Sequence, residues 1–102
     1  MAKAFLISAE QKSIEPVHLS DTNEIATLIG YETLESETIG NGDDLLFFDE
    51  ECFIRGSSGR FQIDKLIPVS GKGVIVGIEA DGSTLTDVSL SLDELRNRMS
   101  FE

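Results

Sequence analysis

Three short segments of the chain, 4–7, 45–48 and 74–78, are apolar at nearly every position. Runs of that length suit strands, and a strand with one wetted face would alternate apolar and polar residues instead. The pattern therefore predicts three strands covered on both faces. Around them the signals are more mixed. Residues 3–9 form the first run, 10–12 a polar turn, and 13–19 alternate loosely about Ile14, Val17 and Leu19 as a hairpin partner. Pro16 has no amide proton to give a neighbour, which places that partner at a sheet edge. Asp21-Thr22-Asn23-Glu24 has the acid-x-x-Glu form of a helix start, with Ile25, Leu28 and Ile29 at helical spacing and Gly30 fit to end the helix left-handed.

Residues 32–39 read as a polar strand with Glu35 and Glu37 on one face, followed by a turn signal at 40–43. Asp49-Glu50-Glu51 turns the chain again, and 52–55 predicts a further short strand. A flexible loop over 56–59 leads to strand-like stretches at 61–63 and 66–69, and Asp81-Gly82 marks another turn. Ser91-Leu92-Asp93-Glu94 matches a capping box, and Leu92, Leu95 and Met99 mark one face of a closing helix. The expected fold is α+β: a curved, mainly antiparallel sheet of about five to six strands, with helices at 21–29 and 91–99. Two short helices cover about one face. The other must be closed by curvature, which the pattern favours, by the 56–73 segment, or by a second copy of the chain.

With 102 residues and no repeat or linker, the chain predicts one domain spanning 1–102. At this size folding buries roughly two-thirds of the unfolded surface, so no staple is required. Cys52 is the single cysteine, which excludes an intrachain disulfide and a Cys-rich metal site. No apolar run is long enough to span a bilayer, and 1–8 lacks the apolar stretch of a signal peptide, so a cytoplasmic location is expected.

Charge changes the picture more than composition does. The formal net charge is −11, and from 13 to 54 there is no Lys or Arg. That stretch carries eleven acids, and the halves 1–51 and 52–102 sum to −10 and −1. Phosphate backbones are bound by cations that displace counterions, so direct binding to nucleic acid or to an anionic membrane is not expected.

Taken in order, several pieces resemble a known group. They are the opening strand-turn-strand, Thr27-Leu28-Ile29-Gly30, Gly40-Asn41-Gly42-Asp43 through Asp49-Glu50, Gly71-Lys72-Gly73-Val74-Ile75-Val76-Gly77, and Ser91-Leu92-Asp93-Glu94-Leu95-Arg96. Together they resemble a family of short proteins of unknown function from bacteria, phages and plasmids. The resemblance spans nearly the whole chain, and the order of the pieces carries it. It implies a bacterial or mobile-element setting and no catalytic activity.

Candidate chemistry is sparse. Gly71-Lys72-Gly73 lacks the upstream glycine, the Ser or Thr after the lysine and the following helix of a phosphate loop, and reads as a glycine turn. Arg55 and Arg60 flank a Gly/Ser loop that could wrap an anion, with Lys72 as a third cation. Asn41, Asp43 and Asp44, or Asp49, Glu50 and Glu51, offer oxygens to a cation, but neither group has the spacing of a calcium loop. A His18–Cys52 dyad would set the thiol among acids that raise its pKa, so a surface histidine and a structural cysteine are expected.

No catalytic residue, metal or cofactor is assigned, and an enzyme is not expected. The sequence favours a non-catalytic interaction module that binds a basic protein surface through Glu32, Glu35, Glu37, Asp43, Asp44, Asp49, Glu50 and Glu51. A sharper version is a DNA-mimic inhibitor whose carboxylates imitate phosphates. The alternative is an accessory or sensor domain taking a small anionic ligand at Arg55, Arg60 and Lys72. The chain is expected to act as a monomer or homodimer.

Overall fold

A computed structural model describes residues 1–39, 44–55, 59–64, 66, 68–82 and 84–102. The first apolar run becomes β1 (Ala2–Ser8), which pairs antiparallel with β2 (Ser13–Leu19) from Ala2 opposite Leu19 to Ser8 opposite Ser13. Helix α1 (Asn23–Ile29) follows. Its entry is held by reciprocal bonds: the Asp21 carboxylate accepts from the Asn23 and Glu24 amides, and Glu24 accepts from the Asp21 amide at 3.2 Å. Its exit is Gly30, left-handed at φ 92°, with its amide on the Ala26 carbonyl at 2.8 Å.

Strands β3 (Leu34–Ile39) and β4 (Asp44–Asp49) form a second hairpin, with Leu34 opposite Asp49 and Ile39 opposite Asp44. The turn expected at 40–43 lies outside the described residues. After β5 (Arg60–Ile63) and β6 (Val69–Ser70), β7 (Lys72–Ile78) runs between the two hairpins, giving the order β2-β1-β7-β4-β3. Two residues, β8 (Leu85–Thr86), pair with the end of β7. Helix α2 (Leu92–Arg98) then leads into β9 (Met99–Phe101).

The continuous apolar runs follow from a three-layer architecture. Val74 and Val76 of β7 face α1 and pack with Ala2, Ala4, Leu19, Ile25 and Ile29. Ile75, between them, points the other way, into a cluster with Phe5, Ile7, Leu46, Phe61, Ile63, Val69 and Leu95. That second face is covered by α2 and a small antiparallel sheet of order β6-β5-β9. Of the closures the pattern allows, the chain thus uses the described part of the 56–73 segment, β5 and β6, joined by its own last residues. Gly73 makes the close approach feasible, since a Cβ there would lie 2.7 Å from the tip of the Phe61 ring.

The α+β class, the five-stranded sheet with its short sixth strand, and the two helices match the sequence pattern. Three details differ. Residues 52–55 are consecutive turns instead of a strand, because the Cys52 and Ile54 amides bond back to Asp49 and Glu51. Helix α2 ends at Arg98, and Met99 is extended (φ −118°, ψ 146°) to pair with Ile63. Among the described residues of the stretch expected at 66–69, strand begins only at Val69, in β6. The Ser91/Glu94 capping box is present in full. Among the described residues no helix is long and apolar enough to cross a membrane.

Candidate acidic edge and its internal ion pairs

Strand β4 begins and ends on a buried aspartate. Asp44, 2% exposed, accepts from the Ser89 amide at 2.9 Å, the Ser89 hydroxyl at 2.8 Å and the Leu90 amide at 3.2 Å. It fastens the segment before α2 to the main sheet. Asp49, 3% exposed, accepts from the Thr33 hydroxyl, from Nε of Arg55, and from the Glu51 amide at 3.1 Å. Burial pushes the Asp49 pKa upward. The hydrogen bonds from Arg55, Thr33 and Glu51, together with the Arg55 charge, outweigh that push and hold the carboxyl below its ordinary value.

Arg55 is correspondingly committed. Besides Asp49, its guanidinium lies 3.7 Å from the Tyr31 ring centroid, 3.6 Å from a Glu51 oxygen and 3.1 Å from the Thr33 hydroxyl. The hydrogen bond to Asp49 is the main reason its pKa is raised. A second ion pair joins Asp64, left-handed at φ 50°, to Arg98 at the end of α2, with Nε donating at 3.0 Å. Arg98's hydrogen bond is the main cause of the lowered Asp64 pKa, and burial opposes it.

These contacts sort the expected acidic face. Asp44 and Asp49 leave it: their carboxylates are turned inward and saturated, so they present no charge to a partner. Glu51 is half-buried beside Arg55, and Asp43 lies outside the described residues. What remains is Glu32, Glu35, Glu37 and Glu50. Glu35 and Glu37 alternate onto one face of β3, the outermost strand, with side chains about 7 Å apart. Glu32 precedes that strand, and the Glu50 amide donates to the carbonyl of Thr33 at its start. Among the described residues none of these four has a cation within 4.0 Å.

The alternative anion site is rearranged as well. Arg55 is held by Asp49, Arg60 lies 5.2 Å from the Phe53 ring centroid, and 56–58 are outside the described residues. Lys72 is exposed at the start of β7 and lines an open recess of about 300 Å³ with Glu10, Gly30, Tyr31, Asp49 and Cys52. With the exposed Glu10 in its wall, that recess is no simple anion cradle. His18, opposite Lys3 on β2, and the buried Cys52, just past the end of β4, lie toward opposite ends of the sheet.

Tyr31, Thr33 and Ser89 are site-building residues that the charge pattern did not single out. For Tyr31 a weak signal existed, as the one tyrosine, three residues before the start of β3 at Leu34. No family model matches the chain, and no curated protein or solved structure matches it.

Proposed function

We propose that this chain is a non-catalytic interaction module that presents the acidic β3 edge to a basic protein surface. The observation that supports the reading is the division of labour among the acids. Asp44, Asp49 and Asp64 are satisfied internally, whereas Glu32, Glu35, Glu37 and Glu50 gather at one edge without a cation beside them among the described residues. Fixed like charges on one edge speed encounter with a cationic surface and make the attraction weaken with salt. A small bacterial or mobile-element protein is the setting in which this reading fits best.

The test is binding of a decalysine probe to two charge-matched variants. One carries Glu32→Gln, Glu35→Gln, Glu37→Gln and Glu50→Gln. The other neutralises Glu10, Glu15, Glu79 and Glu102, four exposed glutamates scattered over the surface. The edge variant should bind roughly tenfold more weakly than the scattered one at low salt. Equal losses in the two would make the edge no more than its share of the net charge and would end the proposal.

A further inference from the structure

We infer that the outer edge of β3 is a strand-addition site for an extended basic segment of a partner protein, one with Lys or Arg at alternate positions. This rests on the acidic-edge reading and adds the conformation of the partner to it.

The phase of the β3–β4 ladder identifies the free backbone groups. The Glu50 amide donates to the Thr33 carbonyl at 2.7 Å, so the pair 33/50 is of the hydrogen-bonded kind. In an antiparallel ladder such pairs alternate. Glu35, Glu37 and Ile39 therefore direct their backbone groups at Phe48, Leu46 and Asp44, while Leu34, Ser36 and Thr38 direct theirs outward. The outward Leu34 amide is taken up by the Glu32 carbonyl at 2.9 Å. The amides and carbonyls of Ser36 and Thr38 have no partner among the described residues, and β3 pairs with β4 alone. Such a row is a template for another strand.

The two edges of the main sheet are not equivalent. On the opposite edge, β2 carries Pro16 in mid-strand, which removes an amide and blunts the template. On β3 there is no proline, and Ser36 and Thr38, both exposed, are short enough to let a neighbour approach.

Charge selects the occupant. Glu35 and Glu37 stand on one face of the edge, and a strand laid beside them would place its own side chains roughly 4.5–5.5 Å away. Cations at two alternate positions of that strand meet both glutamates, and small β-formers between them face Ser36 and Thr38. A second copy of the chain, pairing edge to edge, would set one glutamate row against another, which disfavours self-association here.

The probe is the acetylated and amidated peptide Thr-Lys-Thr-Lys-Thr-Lys-Thr, titrated into isotope-labelled protein and followed by amide NMR. Shift changes and slowed exchange should concentrate at Ser36 and Thr38. Methylating alternate peptide nitrogens keeps the charge and blocks the ladder, and should weaken binding roughly five- to 150-fold. Glu35→Gln with Glu37→Gln should weaken it roughly two- to thirtyfold. Thr38→Pro removes an amide that points outward, so its spectrum should stay folded while binding drops.

Equal affinity for the methylated peptide would overturn strand addition and leave the acidic edge standing. Full binding by the double glutamine variant would overturn the acidic edge itself. If the unmethylated peptide does not bind, strand addition falls, and the decalysine comparison judges the edge separately. If the protein alone is dimeric with Ser36 and Thr38 protected, the occupant is a second copy and the inference is wrong.

Discussion

Replacing Gly73 with alanine sets two effects of opposite sign against each other. In the unfolded chain alanine samples fewer conformations than glycine, which by itself would stabilise the fold by about 0.4–1 kcal/mol. In the folded chain the new Cβ lies 2.7 Å from the Phe61 ring tip, 3.1 Å from a Leu46 methyl and 3.4 Å from the Phe47 carbonyl oxygen. Carbon atoms prefer about 3.5–4.0 Å, so the ring must retreat by about 1 Å. Phe61 is fully buried between the sheets, and a close-packed interior offers little room for that retreat.

Overpacking of this kind costs about 1–3 kcal/mol, so sterics win and Gly73→Ala destabilises by about 1–2 kcal/mol net. Urea unfolding should show a lower midpoint with an unchanged slope. In a Phe61→Leu background the 2.7 Å contact is gone and only the 3.1 Å approach to the Leu46 methyl remains, so the same alanine should cost about 1 kcal/mol less than in the wild-type protein. A neutral or stabilising Gly73→Ala in the wild-type protein, or an equal penalty in both backgrounds, would refute the contact between ring and glycine as the determinant of layer spacing.

The depressed pKa values of Asp49 and Asp64 make stability pH-dependent in a defined window. Their contribution is fully present above the ordinary value of 3.8 and is lost as pH falls through the lower folded-state values. Thermal scans below about pH 4 should therefore show a falling melting temperature, less steep in Asp49→Asn with Asp64→Asn. Asp44→Ala, which strips three hydrogen bonds from a buried carboxylate, should cost about 1.5–3 kcal/mol or more and speed exchange of the Ser89 and Leu90 amides before other sites. Glu35→Gln with Glu37→Gln should leave stability within about 0.5 kcal/mol by urea unfolding, since both side chains lack an ion-pair partner among the described residues.

The elements that local pattern specifies strongly were legible in the sequence. Continuous apolar runs marked β1, β4 and β7, Pro16 marked an edge, and the Ser91/Glu94 box marked the start of α2. Met99 was not legible, because its spacing from Leu92 and Leu95 continues a helix. Its extended conformation is imposed by pairing with Ile63, 36 positions away, which no local signal encodes. Residues 52–55 failed for the converse reason: they are apolar enough for a strand, but backbone bonds to Asp49 and Glu51 consume their pairing groups.

The directions of the acids were half legible. Counting charge finds the acids but not their directions. A finer signal was available at Asp44 and Asp49, which bound a run expected to be covered on both faces. Residues at the ends of such a strand are drawn inward, and carboxylates there need internal donors. Glu35 and Glu37, in a polar strand, carry no such requirement: Glu35 is exposed and Glu37 half-buried.

The position of β7 constrains the order of assembly. Both hairpins, β1–β2 and β3–β4, are complete in sequence before the strand that joins them is made. Until residue 78 has been synthesised, β1 and β4 each hold an apolar strand with an open inner edge and nothing to pair it. The sheet closes by insertion of its middle, a non-local event that belongs to the slow class of folding steps and exposes sticky edges in the meantime. A nascent or refolding chain is therefore most vulnerable to aggregation at its centre, although the finished protein buries Gly73–Gly77 of that strand throughout.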